Sequence, residues 1–282
     1  MKETLSNVDR IAIELGHAGR NTLAYIDDDR NADRPFKLHT YRPYGYTPDR
    51  PVVMLMHDAR RNGTDYRNAW IPAADKHNLL IVAPTFSQDV WPGAENYANG
   101  RAFSAGGNPR HLDGWSYHLI GKVFADLRSA GVTDVEQAYL FGQGEGGEFV
   151  HRLLSSQSHT PFRAATACNS GWYTLPTLEQ RFPEGMGNAG LSDEHVERLL
   201  TYPLTILVNS HDALTDDPSL PDLPAAIAQG TDRAARARTY FEAGQREAQR
   251  RGIPCNWTLR IEPTSEHDQR SMSEICAAAW FE

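Results

Sequence analysis

Residues 138–154 read Ala-Tyr-Leu-Phe-Gly-Gln-Gly-Glu-Gly-Gly-Glu-Phe-Val-His-Arg-Leu-Leu, and this stretch decides the fold. An apolar run, 138–141, precedes four glycines within six residues, and a segment with helical character, 148–154, comes next. Glycine tolerates sharp turns and close backbone approaches that a Cβ would forbid. The stretch therefore predicts a strand that turns abruptly into a helix, which is the building unit of an α/β sheet.

The rest of the chain repeats this alternation of strand and helix. Short runs rich in Val, Ile, Leu and Met predict buried strands, with a weaker candidate at the end, at 51–57, 79–84, 164–169, 204–209 and 257–262. Helix candidates lie between and after them, at 66–77, 115–130, 145–157, 193–201, 232–251 and 270–281. We therefore predict an α/β fold with a doubly wound, mostly parallel sheet flanked by helices, and segments 21–26 and 37–42 as an antiparallel edge.

Composition narrows the classes of partner. The 282 residues carry a formal net charge of −8, so the sequence predicts no nucleic-acid partner and no anionic-membrane partner. No stretch approaches 18 consecutive apolar residues, the amino terminus lacks a signal-peptide pattern, and the three cysteines are scattered. We therefore expect a cytoplasmic protein with reduced thiols. The histidines do not show metal-ligand spacing, so we expect no metal and no cofactor.

The glycine-rich turn has the layout of a nucleophile elbow, which is written Gly-x-Ser-x-Gly. Gly142 and Gly146 occupy the two glycine positions, but Gly144 stands where the serine nucleophile belongs. The elbow residue is strained and usually has a positive φ, so glycine at this position relieves strain once serine is not required. The sequence leaves open whether Gly144 is the natural residue or an engineered one.

Two residues further along the chain complete the order of a catalytic triad. Triad hydrolysis needs a nucleophile, a base and a carboxylate that orients the base, and in one large class they follow in the order nucleophile, acid, histidine. Asp212 follows the strand candidate 204–209, and His267 follows the candidate 257–262. The acid and base positions are therefore filled, although the nucleophile position is not.

With these motifs the chain resembles α/β-hydrolase esterases related to polyhydroxybutyrate depolymerases and feruloyl esterases. Residues 52–62 (VVMLMHDARRN) resemble the strand and His-Gly-x-x-Arg-Asn oxyanion loop of that family. The other resembling segments are the elbow with its helix, a Gly-Trp-Tyr loop, the acid loop and the histidine loop, at 139–154, 169–174, 212–221 and 267–272. The resemblance covers the chain from about residue 36 to its end.

This resemblance implies an α/β-hydrolase fold as one domain over 1–282, with Asp212 as triad acid and His267 as base. It also implies that the backbone N–H of Glu145 is one oxyanion donor and that Asp58 or Ala59 supplies the second. Further candidates for substrate contacts are Gln143, Trp172 and Tyr173. Asp58 departs from the family, which usually has glycine there, and places a carboxyl group beside the expected oxyanion hole.

Several of these residues also have a purely structural interpretation. Glu145 fits a carboxylate that the helix dipole stabilises, or a general base acting on water. Trp172 and Tyr173 either line a pocket or pack their loop. The long loops 85–114 and 171–192 are predicted lid or pocket segments, because loops of this length in compact domains are usually functional.

Three functional hypotheses follow from the sequence. The first is an esterase acting on a small acyl ester through water, with His267 as base. The second is a pseudoenzyme, an inactive descendant that binds a small ligand in the inherited cleft. The third is a lyase or isomerase in which His267 transfers protons without a covalent intermediate. All three predict a small-molecule substrate or ligand, and none fixes the oligomeric state.

Overall fold

The computed structural model describes residues 5–157, 160–209, 220–263 and 269–282. Within these ranges the strands form one eight-stranded sheet of order β1-β2-β4-β3-β5-β6-β7-β8. In chain order the strands are Gly19–Tyr25, Phe36–Arg42, Val52–Met56, Leu80–Thr85, Ala138–Gln143, Phe162–Cys168, Leu204–Asn209 and Thr258–Glu262. Strands β1 and β2 pair antiparallel at one edge, and all pairs from β4 to β8 are parallel.

Helices cover both faces of this sheet. In chain order α1 to α9 are Asn7–Glu14, Gly63–His77, Gly93–Asn96, His118–Ser129, Glu145–Ser156, Asp193–Thr201, Pro224–Ile227, Arg233–Arg251 and Gln269–Phe281, with a 3₁₀ turn at Leu112–Gly114. Strand β3 shows why both faces need cover, since all five of its residues are buried. Its residues Val52, Met54 and Met56 face the core that includes α4 and α5, whereas Val53 and Leu55 face α2 and α9.

The predicted fold class is confirmed: the sheet is mostly parallel, doubly wound and flanked by helices. Every predicted strand and helix is present; the ends of 204–209 and 193–201 match, and the other elements have an end shifted by one to three residues. Helix α2 begins at Gly63 rather than at residue 66, because the Asn62 side chain caps it by accepting a hydrogen bond from the Asp65 N–H at 3.3 Å. Helix α1 was not predicted, although Ser6 and Asp9 form a capping box that marks its start.

No helix in the described ranges is both long and apolar enough to cross a membrane.

One contact at the centre of the sheet has no room for a side chain. A Cβ on Gly146, in the first turn of α5, would lie 2.7 Å from the His57 carbonyl oxygen and closer still to that of Met56. Helix α5 can therefore approach β3 only because residue 146 is glycine.

We predict that Gly146→Ala lowers the free energy of unfolding by about 2–4 kcal/mol, because α5 must move away from β3. The matched control is Gly106→Ala in an exposed loop, where the added Cβ would meet nothing nearer than 3.8 Å. That control should change stability by less than about 0.5 kcal/mol. Urea denaturation measures both, and equal effects of the two substitutions would contradict the close-packing argument.

Candidate active site

The turn after β5 has the backbone geometry of a nucleophile elbow. Gly144 adopts φ 59° and ψ −123°, a conformation that strains any residue with a Cβ. Its N–H donates to the Cys168 carbonyl at 3.0 Å, and its carbonyl accepts from the Glu148 N–H at 3.1 Å. The turn is therefore anchored to β6 on one side and to α5 on the other.

Helix α5 begins at Glu145, directly after the elbow. The first N–H groups of an α-helix have no acceptor within the helix, and they carry the positive end of its dipole. The Glu145 N–H is therefore placed to stabilise a negative oxygen held over Gly144. This N–H is the oxyanion donor that the sequence predicts, and that role stays a prediction.

The loop after β3 faces this helix start and is held by His57. The Phe86 N–H donates to His57 Nε2 at 3.0 Å, so Nδ1 carries the proton and donates to the Asp58 carbonyl at 2.9 Å. The Tyr97 hydroxyl donates to the His57 carbonyl at 2.7 Å, and the two rings stack at 4.4 Å. Both ring nitrogens of His57 therefore bond to backbone groups, and these bonds hold the loop that leads into Asp58 in place.

Asp58 occupies the space beside the elbow. A Cβ on residue 144 would lie 3.3 Å from the Asp58 Cβ, which is tighter than ordinary van der Waals contact. The Asp58 carboxylate turns back to its own loop, where it accepts from the Arg60 N–H at 2.9 Å and from the Arg60 guanidinium at 2.8 and 3.0 Å. Glycine at 144 and aspartate at 58 therefore fit each other sterically.

Two further ion pairs surround the start of α5. Arg61 lies 3.4 Å from the Glu145 carboxylate, and its guanidinium covers the Tyr97 ring at 4.2 Å. Burial raises the pKa of the Glu145 carboxyl, and the charge of Arg61 opposes that rise. Glu145 thus has a cationic partner of its own at the position where an oxyanion would develop.

The second pair is more deeply buried. Arg152 contacts Glu148 at 3.0 Å one turn further along α5. Burial raises the pKa of Glu148 to about 7, again against the charge of its arginine. The i, i+4 spacing of Glu148 and Arg152 was visible in the sequence and could have indicated this pair.

The other predicted contact residues lie in different surroundings. Trp172 is buried under the Arg152 guanidinium, which is 4.8 Å from its ring. Tyr173 is fully buried and stacks on Tyr240 at 4.6 Å, so it packs in the core on the side away from solvent. Gln143 is buried with its Oε1 unpaired among the described residues, and Ala59 is exposed.

Asp212 and His267 lie outside the described residues, so their roles stay predictions. The strands before them end at the same edge of the sheet as β5, because β7 and β8 run parallel to it and finish at Asn209 and Glu262. The carboxyl ends of parallel strands share one edge of a sheet. Within the described ranges, no three His, Cys, Asp or Glu side chains form a group that could hold a metal ion.

His57 and His151 give the protein a specific pH dependence. His151 is held as His57 is, with Nε2 accepting from the Thr174 N–H and Nδ1 donating to the Gly147 carbonyl, each at 3.0 Å. Burial lowers the pKa of His57 to about 3 and that of His151 well below its usual range. The unfolded chain binds these protons below about pH 6.5 and the folded chain does not, so stability falls as the pH is lowered.

We predict that His151→Gln removes part of this dependence. From pH 7.5 to pH 5 the wild type should lose about 2 kcal/mol of unfolding free energy relative to the variant. Denaturant titrations at a series of pH values measure this difference, with exposed His17→Gln as the matched control. A difference between wild type and His151→Gln that stays constant with pH would show that the ring takes up its proton at the same pH in the folded and unfolded chains, which would contradict the argument.

Comparison with known proteins places the chain in a family. No protein-family profile and no curated sequence matches it. Among solved structures, the LpqC poly(3-hydroxybutyrate) depolymerase from Bordetella parapertussis is 61% identical, with a TM-score of 0.97 over 100% of this chain and 95% of that one. Poly(aspartic acid) hydrolase-1 from Sphingomonas sp. KT-1 is 29% identical, with a TM-score of 0.89 over 94% and 99%.

A more distant structure shares the fold alone. The S-formylglutathione hydrolase FrmB from Staphylococcus aureus is 13% identical, with a TM-score of 0.54 over 93% of this chain and 97% of that one. The identity to LpqC over the full length of this chain decides the assignment. The chain belongs to the family of esterase-type α/β-hydrolases that includes the Bordetella LpqC poly(3-hydroxybutyrate) depolymerase.

Proposed function

We propose that the protein hydrolyses a small acyl ester by direct attack of water, without an acyl-enzyme intermediate. The observation that carries the proposal is the elbow itself. Gly144 keeps φ 59° and ψ −123°, and α5 still starts at Glu145, although glycine offers no nucleophile to present. An oxyanion site built from backbone N–H groups does not depend on the side chain at 144.

In the proposed reaction, the ester carbonyl oxygen accepts a hydrogen bond from the Glu145 N–H. A water molecule occupies the space left by the absent hydroxymethyl group, and His267 takes its proton while Asp212 orients the ring. The hydroxide oxygen bonds to the carbonyl carbon and forms a tetrahedral intermediate. The intermediate then expels the alkoxide, which receives the proton from His267, and leaves the free acid.

The charges around the elbow are compatible with this reaction. Asp58 and Glu145 would both repel a developing oxyanion, but each carboxylate has an arginine partner, Arg60 at 2.8 Å and Arg61 at 3.4 Å. The Arg61 side chain is almost fully buried, so its charge is weakly screened. Its guanidinium therefore offsets the negative charge of Glu145.

The expected rate is low. Loss of the nucleophile from a serine protease costs on the order of 10⁶ in kcat and leaves roughly 10³–10⁴ over the reaction in water. The 61% identity to a protein named poly(3-hydroxybutyrate) depolymerase supports esters of short hydroxy acids as the substrate class.

A second candidate is a non-catalytic protein that binds a small ligand in the same cleft. Asp58 is the observation that favours it, because its Cβ fills the margin of the elbow and its carboxyl group stands where the family usually has no side chain. Under this alternative the paired charges shape a binding site, and turnover is absent.

We further propose that residues 1–282 form a single domain in the cytoplasm. The cores on the two faces of one sheet draw on helices from α1 to α9, which supports one folding unit. The described residues contain no disulfide, which supports a reducing compartment.

We predict slow, linear release of p-nitrophenol from p-nitrophenyl butyrate by the wild type, with no initial burst. His267→Ala should lower this rate at least about tenfold, because water then lacks its base. His17→Gln, on an exposed histidine, is the control and should leave the rate unchanged. A wild-type rate that His267→Ala does not alter would overturn the proposed reaction.

If the wild type shows no turnover at all, the binding candidate takes its place. Thermal stabilisation by 3-hydroxybutyrate, which follows RT ln(1 + [L]/Kd), would then measure the retained site.

We predict that Gly144→Ser restores an acyl-enzyme pathway only when Asp58 is also changed. A serine Cβ would press on the Asp58 Cβ at 3.3 Å, in addition to the strain of about 1–3 kcal/mol at this φ. The double variant Gly144→Ser/Asp58→Gly should therefore exceed Gly144→Ser by at least about tenfold in kcat/KM and should show a burst. Asp58→Gly alone is the control. Equal kcat/KM values for Gly144→Ser and Gly144→Ser/Asp58→Gly would show that Asp58 does not obstruct the elbow.

A further inference from the structure

A cavity of about 580 Å³ lies between two loops, and no residue of the elbow at 142–147 lines it. Its walls come from Arg34 and from the two long loops of the sequence, which contribute residues 95, 96, 99, 101–105, 110 and 181–183. None of the predicted catalytic or contact residues lines it. Hydrogen bonds join it to α5: Arg152 donates to Asn99 in its wall at 3.0 Å and to the Thr174 hydroxyl at 2.8 Å, and that hydroxyl donates to the Pro183 carbonyl in the wall at 2.6 Å.

The cavity concentrates positive charge. Four arginines line it, at positions 34, 101, 110 and 181, with Glu95 as the one acidic residue in the wall. The wall therefore carries a formal charge of 4 − 1 = +3, whereas the whole chain carries −8. In the described part of the chain, Arg34 has one ion pair, with exposed Asp33 at 3.7 Å, and the other three arginines have none.

Neutral groups hold these side chains in place. Arg101 donates to Asn31 Oδ1 at 2.6 Å, and Arg34 donates to the Val90 carbonyl at 2.7 Å. Both guanidinium groups lie over the Trp91 ring, at 5.9 and 5.7 Å. These contacts orient the arginines without neutralising them, so their charge remains available to a ligand.

The other two arginines are oriented in the same way. Arg110 Nε donates to the Phe103 carbonyl at 3.2 Å, and the Arg181 guanidinium lies 5.2 Å from the Phe103 ring. Burial together with the charges of Arg34 and Arg110 lowers the pKa of Arg101. The cluster thus repels itself, and a bound anion would relieve that repulsion.

We propose that this cavity binds a small organic anion that carries at least two carboxylates on an apolar body. Guanidinium groups pair with carboxylates in bidentate geometry, and three net positive charges suit more than one carboxylate. The volume is that of a small-molecule site and exceeds what an inorganic anion fills. Phe103 and Phe182 provide apolar wall for the body of the ligand.

Titration calorimetry with adipate at low salt tests the proposal. We expect saturable binding of one adipate per chain, weakened at least about tenfold by Arg110→Gln and by Arg181→Gln, because each removes a charge-assisted contact. Arg181 is exposed, so its substitution should leave the melting temperature of the free protein unchanged. Arg238→Gln, which removes an exposed arginine outside the cavity, is the matched control and should bind adipate as the wild type does.

The affinities of two other anions distinguish an organic dicarboxylate from other classes of ligand. Hexanoate, with one carboxylate, and inorganic phosphate, with no apolar body, should each bind at least about tenfold more weakly than adipate. Phosphate that binds as tightly as adipate would overturn the assignment to an organic anion. Absence of adipate binding, or equal weakening by Arg238→Gln, would overturn the site itself. Neither result would bear on ester hydrolysis at the elbow, because the variants leave that site intact.

Discussion

The first turn of α5 packs directly on the backbone of β3, and the absence of a Cβ at Gly146 is what permits this contact. The arrangement of the candidate site depends on this close approach of α5 to β3. It brings the Glu145 N–H next to the loop that His57 fixes, and it sets Asp58 beside Gly144. The packing also holds residue 144 in a conformation that strains any residue with a Cβ and that glycine adopts readily.

The candidate site also depends on ion pairs. Asp58, Glu145 and Glu148 cluster around the start of α5, and each has an arginine partner, at positions 60, 61 and 152. A buried carboxylate without a partner would be costly, so the arginines are needed for these acids to lie here at all. In the proposed reaction, the same pairing reduces the repulsion between these carboxylates and the developing oxyanion. The arginine-lined cavity differs in this respect, because most of its cations lack carboxylate partners among the described residues.

The sequence predicted most of the fold because its signals are local. Buried strands such as β3 read as continuous apolar runs, and the glycines at 142–147 indicated the turn into α5. The short helices α3 and α7, four residues each, carry too few periodic positions to be recognised. Helix ends were misplaced where a side-chain cap, such as Asn62, decides the boundary.

The site was only partly predictable. Residues 58 and 144 were found because they depart from a recognised pattern, but their mutual contact depends on the packing of α5 against β3. The role of Tyr97 in holding the His57 carbonyl has no sequence signal, since the two residues are 40 positions apart. Charge pairing between Arg61 and Glu145 was hidden for the same reason. Asp212 and His267 remain predictions from chain order alone.

In the proposed function the elbow frame is retained, Gly144 supplies no nucleophile, and Asp58 obstructs a side chain at position 144. Intact-mass spectrometry after treatment with an alkyl fluorophosphonate tests this directly, because the reagent phosphonylates a serine only when an oxyanion site and a base activate it. We predict no adduct on the wild type and a single adduct at residue 144 of Gly144→Ser/Asp58→Gly. An unlabelled double variant that is otherwise folded would contradict the account, since it would show that the frame around Gly144 no longer supports catalysis.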